Sequence, residues 1–444
     1  MANIGFISLG CAKNQVDCER MMYRLQEAGH TVCPDVVGTD AVVINTCGFI
    51  DSAKTEAIDN ILQMGQLKEQ GLVGKILVTG CLSERYRQQI LEEMPEVDGV
   101  LGTGSYTKIV AAVEQILEGD TVADFDSIDL PEEETGRIVT TPEHYAYIKI
   151  AEGCDNRCSY CIIPYLRGKY RSRHLDDVLY EARLLAASGV KELIVVAQDT
   201  SRYGTDFPGH KRLLATLLKE LCKIEELHWI RVHYLYPDEI DDELIDVIAA
   251  EPKIVKYLDI PIQHCNDKVL KLMNRRGDNA YLRALFTKLR DRIPGLVLRT
   301  SVITGLPGEG EEEFQELCDF LKEMRLERTG AFSFSPEEGT PAANMEFVDS
   351  DVAQQRAEIV SQIQSRSMDD YNSAFLGKTL EVLVDGYDEE LEQYFGRTFA
   401  DSPEIDGRVW IASEEALSEG TFVKVTVDGL VDGDLSGFIV EEDV

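Results

Sequence analysis

No run of about eighteen apolar residues occurs in this chain of 444 residues, so no segment reads as a membrane-spanning helix. Its start, MANIGFISLG, lacks a basic head, and its apolar stretch is too short for a secretory signal. It reads as a first β-strand, and the expected location is the cytoplasm. Low-complexity tracts are absent. Basic residues are scarce: 44 Lys and Arg stand against 80 Asp and Glu, a net charge of -36. Such a surface repels phosphate backbones and favours a basic partner. What the chain does have is a globular composition, 44% hydrophobic and 28% charged, and a length that suggests roughly three domains. It also has eleven cysteines. In a reducing compartment, clustered thiols point to metal binding or catalysis rather than to disulfides.

Residues 1–123 alternate apolar runs with helical patterns, which argues for a parallel sheet with helices on both faces. The strands are NIGFISLG, DAVVINT, KILVTG and VDGVLGT, with helices near 16–28, 53–64 and 83–94. Residues 124–140, rich in acids and without periodicity, read as a linker. Residues 141–374 repeat the strand–helix unit. Candidate strands fall at 145–150, 191–198, 228–233, 257–261, 296–303 and 329–335. Six units are fewer than the eight of a closed (β/α)8 barrel, so an open, partial TIM-like barrel is expected. A long helix follows over about 350–375, with Asp351 or Ser350 as its cap. Residues 375–444 hold short β-branched runs broken by Gly and Asp, the pattern of a small antiparallel β-barrel. From 376 onward there are 18 Asp and Glu against 4 Lys and Arg, a net of -14.

The stretch EGCDNRCSYCIIP carries Cys154, Cys158 and Cys161, four and then three positions apart. A structural zinc site wants four ligands, and the loop offers no fourth Cys or His; His174 is thirteen residues past Cys161. A 4Fe-4S cube held by three thiolates keeps one iron open to an outside ligand. The spacing Cys-x3-Cys-x-aromatic-Cys, with Tyr160 in the aromatic slot, resembles the radical S-adenosylmethionine superfamily. That resemblance implies a cluster whose open iron binds the amino and carboxylate groups of S-adenosylmethionine. It also implies roles for Gln198 and Asp199 at the amino group and for Gln263, with His264 beside it, near the ribose. RTSVITGLPGE resembles a further family element but departs from it, with Ser301 for the first Gly and Glu309 one place late.

FISLGC, VVINTC and ILVTGC share one plan, an apolar strand followed by Cys11, Cys47 or Cys81. In a parallel sheet the carboxyl ends of the strands lie along one edge, so three such cysteines converge although 36 and 34 residues separate them. A second 4Fe-4S cluster with an open iron is the natural expectation. Cys18, Cys33, Cys222, Cys265 and Cys318 lack that placement and read as buried or half-buried structural residues.

The whole arrangement resembles the radical methylthiotransferases, with a three-cysteine N-terminal domain, a radical S-adenosylmethionine barrel and a C-terminal TRAM domain. The resemblance implies two 4Fe-4S clusters, S-adenosylmethionine as methyl donor and radical source, and an external electron donor. One branch modifies adenosine in transfer RNA. The other modifies an aspartate β-carbon in the small-subunit ribosomal protein near the decoding centre (S-twelve). NTCGFIDSAK, TGCLSERY, AQDTSRYG, FSFSPEEGTPA and YFGRTFADSPEIDG resemble the second branch. The opening departs from it slightly, at Ala12 where Pro is expected and Cys18 where Ser is expected. The charge agrees independently. A domain gripping RNA should be basic, and this one repels RNA and suits a basic ribosomal protein. The local basic run LRGKYRSRH, residues 166–174, is open to three uses: an RNA contact, a cofactor or substrate anchor, or a solvated face.

Overall fold

The computed structural model describes residues 1–131 and 133–440. Its N-terminal part is a six-stranded, all-parallel sheet. The strands are β1 (Asn3–Ser8), β2 (Thr31–Cys33), β3 (Thr39–Thr46), β4 (Val73–Gly80), β5 (Gly99–Leu101) and β6 (Val122–Asp124), in the order β2-β1-β3-β4-β5-β6. Period-two alternation in β3 sends Val43 into one core and Val42 and Ile44 into the other. The first core is covered by α1 (Ala12–Glu27) and α5 (Ile109–Glu118). The second is covered by α2 (Asp51–Glu69), α3 (Cys81–Tyr86) and α4 (Gln88–Glu93). The expected helix near 83–94 is therefore two short ones, broken at Arg87, whose φ of +46° cannot continue a helix. β2 and β6, three residues each, are too short to leave a period in the sequence.

The middle part is an open sheet of six parallel strands in chain order. They are β7 (Tyr145–Lys149), β10 (Glu192–Val196), β11 (Trp229–Val232), β12 (Ile254–Asp259), β13 (Val297–Thr304) and β14 (Arg328–Ser333). Between β7 and β10, a two-stranded ribbon of β8 (Ala151–Glu152) and β9 (Arg171–Ser172) brackets the 154–161 cysteine loop. After that loop comes α6 (Ile163–Arg167), and then the outer helices α7 (Leu175–Ala187), α8 (Leu214–Cys222), α9 (Asp242–Ala250), α10 (Asp267–Leu272), α11 (Asn279–Arg292) and α12 (Glu311–Met324). Outward residues such as Leu193 and Val195 join the large core beneath these helices. Inward residues such as Ile194 and Val196 meet Val16 of α1, so the N-terminal part packs into the mouth of the open barrel.

Helix α13 (Ser350–Ser373) leads to five strands, β15 (Thr379–Asp388), β16 (Gln393–Arg397), β17 (Val409–Ala412), β18 (Phe422–Val431) and β19 (Asp434–Ile439), which close into a barrel. The cap of α13 is Asp349, one residue before the positions expected; its carboxylate accepts from the Asp351 N–H at 2.9 Å. Four strand pairings are antiparallel and β17–β19 is parallel. A ring with an odd number of strands cannot alternate direction throughout. The loop from Arg397 to Asp406 reaches under the open barrel and pairs with its inward charges. Arg397 meets Glu192 at 2.7 Å, Asp401 meets Arg328 at 2.7 Å, and Asp406 accepts from the Tyr257 hydroxyl at 2.6 Å.

The acidic linker is strapped down rather than solvated. Arg137 binds Glu19 at 3.1 Å and Glu181 at 3.1 Å, and Glu134 receives the guanidinium of Arg173 at 2.5 Å. Among the described residues no helix is long and apolar enough to cross a membrane.

Candidate functional site

Cys11 is the N-cap of α1, Cys47 follows β3 and Cys81 opens α3. The strands before them, β1, β3 and β4, are neighbours in the sheet. The chain runs from β1 to β2 on one side and then crosses to β3 on the other. Cys11 and Cys47 therefore flank the topological switch point, where such sheets place their ligands. The close approach is built with glycine: a Cβ on Gly10, whose φ is +91°, would stand 2.7 Å from Cys47 Cβ. The three thiols feel one another. Burial first, and then the charges of Cys47 and Cys11, push Cys81 up to about 12, while Arg167 pulls the other way. Cys47 is likewise raised by burial, with Cys11 adding to it.

In the second triad, Cys154 and Cys161 are raised mainly by burial, Cys154 to about 11, and Cys158 adds to both. The loop is pinned by the Cys154 N–H to Gly168 O at 3.1 Å and the Cys161 N–H to Cys158 O at 3.0 Å. Neutral thiols held this way bind a cation strongly on losing their protons. Among the described residues no three His, Cys, Asp or Glu side chains are gathered closely enough for a single metal ion. A cube distributes its thiolates over separate irons and asks for a wider triad. The all-sulfur donor sets, three and three, fit that group.

Arg167 joins the two triads. It ends α6, six residues past Cys161, and its Nε donates to Cys81 Sγ at 3.3 Å. Its Nη2 donates to Asn14 Oδ1 at 2.9 Å, and its Nη1 binds Asp17 and, at 3.3 Å, Glu152. Lys149, fully buried, binds the same two carboxylates. Ile162 and Leu166 pack on Cys81. Arg167 and Arg173 of the basic run are thus buried and engaged by carboxylates. These two form an internal clamp, while Lys169 and His174 of the same run stay exposed. A second latch lies across the mouth: Glu337 of the PEEGT stretch receives Arg85 at 2.7 Å and Lys54 at 3.0 Å. Arg85 also donates to the carbonyl of Gly48, next to Cys47, at 3.0 Å.

The structure brings the remaining expected residues to the same mouth. Gln198 Nε2 donates to Glu152 Oε1 at 2.5 Å, which leaves its Oε1 buried and without a donor among the described residues. Asp199 is buried and holds the cysteine loop by accepting from Asn156 at 2.8 Å and from Ser201 at 2.5 Å. The Tyr160 hydroxyl accepts from Arg275 at 3.2 Å. Gln263 has a left-handed φ of +67° and bridges to β13, donating to Ser301 O at 2.9 Å. His264 is fully buried, 3.2 Å from Glu309, whose other oxygen takes Arg356 at 2.7 Å. Glu309 also accepts from the Gly305 N–H at 2.9 Å and so ties its own loop to His264 and α13. Two residues escaped sequence reasoning. Arg275 lies 3.9 Å from Cys158 Sγ, and the Tyr236 hydroxyl is 3.8 Å from the same sulfur. Neither belongs to a spacing pattern; only the fold places them.

Three family models match in succession. These are the uncharacterized protein family UPF0004 over residues 3–102, the radical SAM superfamily over 148–321 and the TRAM domain over 376–440. The ribosomal protein uS12 methylthiotransferase RimO of Caldanaerobacter subterraneus subsp. tengcongensis is 48% identical over 98% of this chain and 100% of its own length. The chain belongs to the uS12 methylthiotransferase RimO family. The RimO protein of Clostridioides difficile is 43% identical over the full length of both chains. Among solved structures, the radical S-adenosylmethionine methyltransferase TsrM from Kitasatospora setae superposes with a TM-score of 0.53 at 15% identity. It covers 74% of this chain and 72% of its own. The cobalamin-dependent S-adenosylmethionine radical enzyme OxsB gives 0.52 at 13%, over 82% and 56%. At those identities the likeness concerns the fold alone. As a RimO-family radical SAM protein, the chain uses a [4Fe-4S] cluster and S-adenosylmethionine.

Proposed function

We propose that this chain transfers a methylthio group to the β-carbon of an aspartate in ribosomal protein uS12, with two [4Fe-4S] clusters each held by three cysteines. Cys154, Cys158 and Cys161 hold the cluster that binds S-adenosylmethionine, and Cys11, Cys47 and Cys81 hold the other. When bound, these groups supply the carbon radical, the methyl group and the transferable sulfur. The chain's own residues bind, orient and exclude water. Gln198 offers its undonated Oε1 to the amino group of S-adenosylmethionine. Asp199 works beside it by fixing Asn156 of the cysteine loop. Tyr160 and Gln263 flank the cofactor, with Arg275 and Tyr236 setting the surroundings of Cys158. Arg167 holds the triads in register.

The observation that carries this proposal is the Cys81–Arg167 contact, which sets one triad against the loop bearing the other, in a chain related over its full length to uS12 methylthiotransferases. The acidic exterior suits a basic ribosomal protein, and the same charge gives the transfer-RNA alternative nothing to grip with. An external electron donor and a cytoplasmic setting complete the proposal. The functional units follow as 1–123, a linker of 124–140, 141–374 and 375–444. Incubating the reconstituted, reduced protein with S-adenosylmethionine and purified uS12 tests it. Intact-mass spectrometry should find one added methylthio group on an aspartate, and modified transfer RNA with untouched uS12 contradicts the proposal.

A further inference from the structure

Lys13 stands against the local preferences of a lysine. It lies in the first turn of α1, the positive end of the helix dipole, and that turn holds no acidic residue. It is only 9% exposed. Among the described residues no carboxylate lies within ion-pair distance of its ammonium, in a chain with 80 acidic side chains to choose from. Its close neighbour is the ring of Tyr234, whose centroid is 3.5 Å from Nζ. Tyr234 is itself held at a φ of +61°, a conformation costly for an aromatic residue and typical of functional sites. Tyr234 takes a hydrogen bond from it, and Cys11 and Glu152 act on it only from farther off. An incoming anion would thus meet a buried ammonium that has no direct ion pair among the described residues.

The place is as telling as the missing ion pair. Lys13 is two residues from Cys11, which caps α1 without any side-chain hydrogen bond. Tyr234 follows β11 and precedes Tyr236, whose hydroxyl is 3.8 Å from Cys158 Sγ. The ammonium thus lies between the two triads, on the wall of the barrel mouth. The acceptor carbon has to sit there too, within reach of both.

We propose that Lys13 anchors the side-chain carboxylate of the aspartate being modified, so that its β-carbon, one bond away, is presented between the triads. This rests on the proposed aspartate methylthiotransfer. S-adenosylmethionine carries an ammonium of its own beside its carboxylate. The aspartate side chain carries a single negative charge and needs a cation from the protein. The uncapped N–H groups of the first turn of α1 add donors on the same side.

The test compares Lys13→Gln and Lys13→Arg with the wild-type holoenzyme, matched for iron content and circular dichroism. The probes are purified uS12, uS12 with the target Asp→Asn change, and S-adenosylmethionine. The wild-type enzyme should bind uS12 more tightly than the Asn form. In Lys13→Gln, affinity for uS12 should fall about 10- to 100-fold, the range for a lost hydrogen bond to a charged group. Affinity for the Asn form and for S-adenosylmethionine should stay put, and Lys13→Arg should keep part of the preference. Equal weakening of both uS12 forms, or a loss confined to S-adenosylmethionine, overturns the assignment. A wild-type enzyme that leaves uS12 unmodified instead removes the proposed function beneath it.

Discussion

The two cysteine triads are built on opposite principles. Cys154, Cys158 and Cys161 lie within eight residues on one loop, bracketed by a two-stranded ribbon and pinned by its own backbone. Cys11, Cys47 and Cys81 come from three separate strand ends and meet only because β1, β3 and β4 are adjacent in the sheet. The loop triad is a local motif that a domain can carry alone. The strand-end triad exists only when the whole sheet is folded, and its register with the loop depends on contacts between domains.

Substitutions within the triads break the comparison most sharply. Cys158→Ala should abolish reductive cleavage of S-adenosylmethionine, measured as 5′-deoxyadenosine release. Cys47→Ala should spare that release yet stop methylthiolation of uS12. Product from the second variant, or cleavage by the first, would merge two roles that are here kept apart.

The next test loosens the contact between domains. Glu337 is buried against Arg85 and Lys54. Glu337→Ala leaves the buried Arg85 without a carboxylate, while Lys54 keeps Asp51 at 2.5 Å, and should cost about 3–5 kcal/mol in denaturant unfolding. Methylthiolation should suffer more than S-adenosylmethionine cleavage, because the latch touches the strand-end triad through Arg85 and Gly48.

A smaller effect is expected from pH. Burial alone would raise Glu181, but Arg137, Arg173 and Arg20 hold it down at about 2. A depressed carboxylate adds stability above its unfolded value, and that share is lost as pH falls through the folded one. Here it is on the order of 3 kcal/mol, disappearing between roughly pH 4.5 and pH 2. Acid titration of wild type against Glu181→Gln should reveal it as a difference in slope. Parallel slopes would show that the strap contributes nothing.

Legibility in the sequence follows the same divide. The loop triad is written as a spacing, and the six barrel strands as apolar runs, so both are readable without coordinates. The strand-end cysteines are readable too, since each repeats one local plan. What stays hidden is what only tertiary contact creates. β2 and β6 are three residues each and leave no period. Within the run at 166–174, the burial of Arg167 and Arg173 is hidden because the carboxylates that engage them come from Asp17, Glu152, Glu134 and Glu181. The acidic linker hides its arginine partners in the same way. PEEGT and the 397–406 stretch are recognisable as motifs, but their work as latch and floor depends on partners from 73 to 283 residues away.

The central claim is that two independent triads each hold one cube. Iron and acid-labile sulfide per chain, measured after anaerobic reconstitution of wild type, Cys47→Ala and Cys158→Ala, test it most directly. The account predicts about eight iron in the wild type and about four in each variant. Four iron in the wild type, or a single substitution that empties both sites, would contradict it.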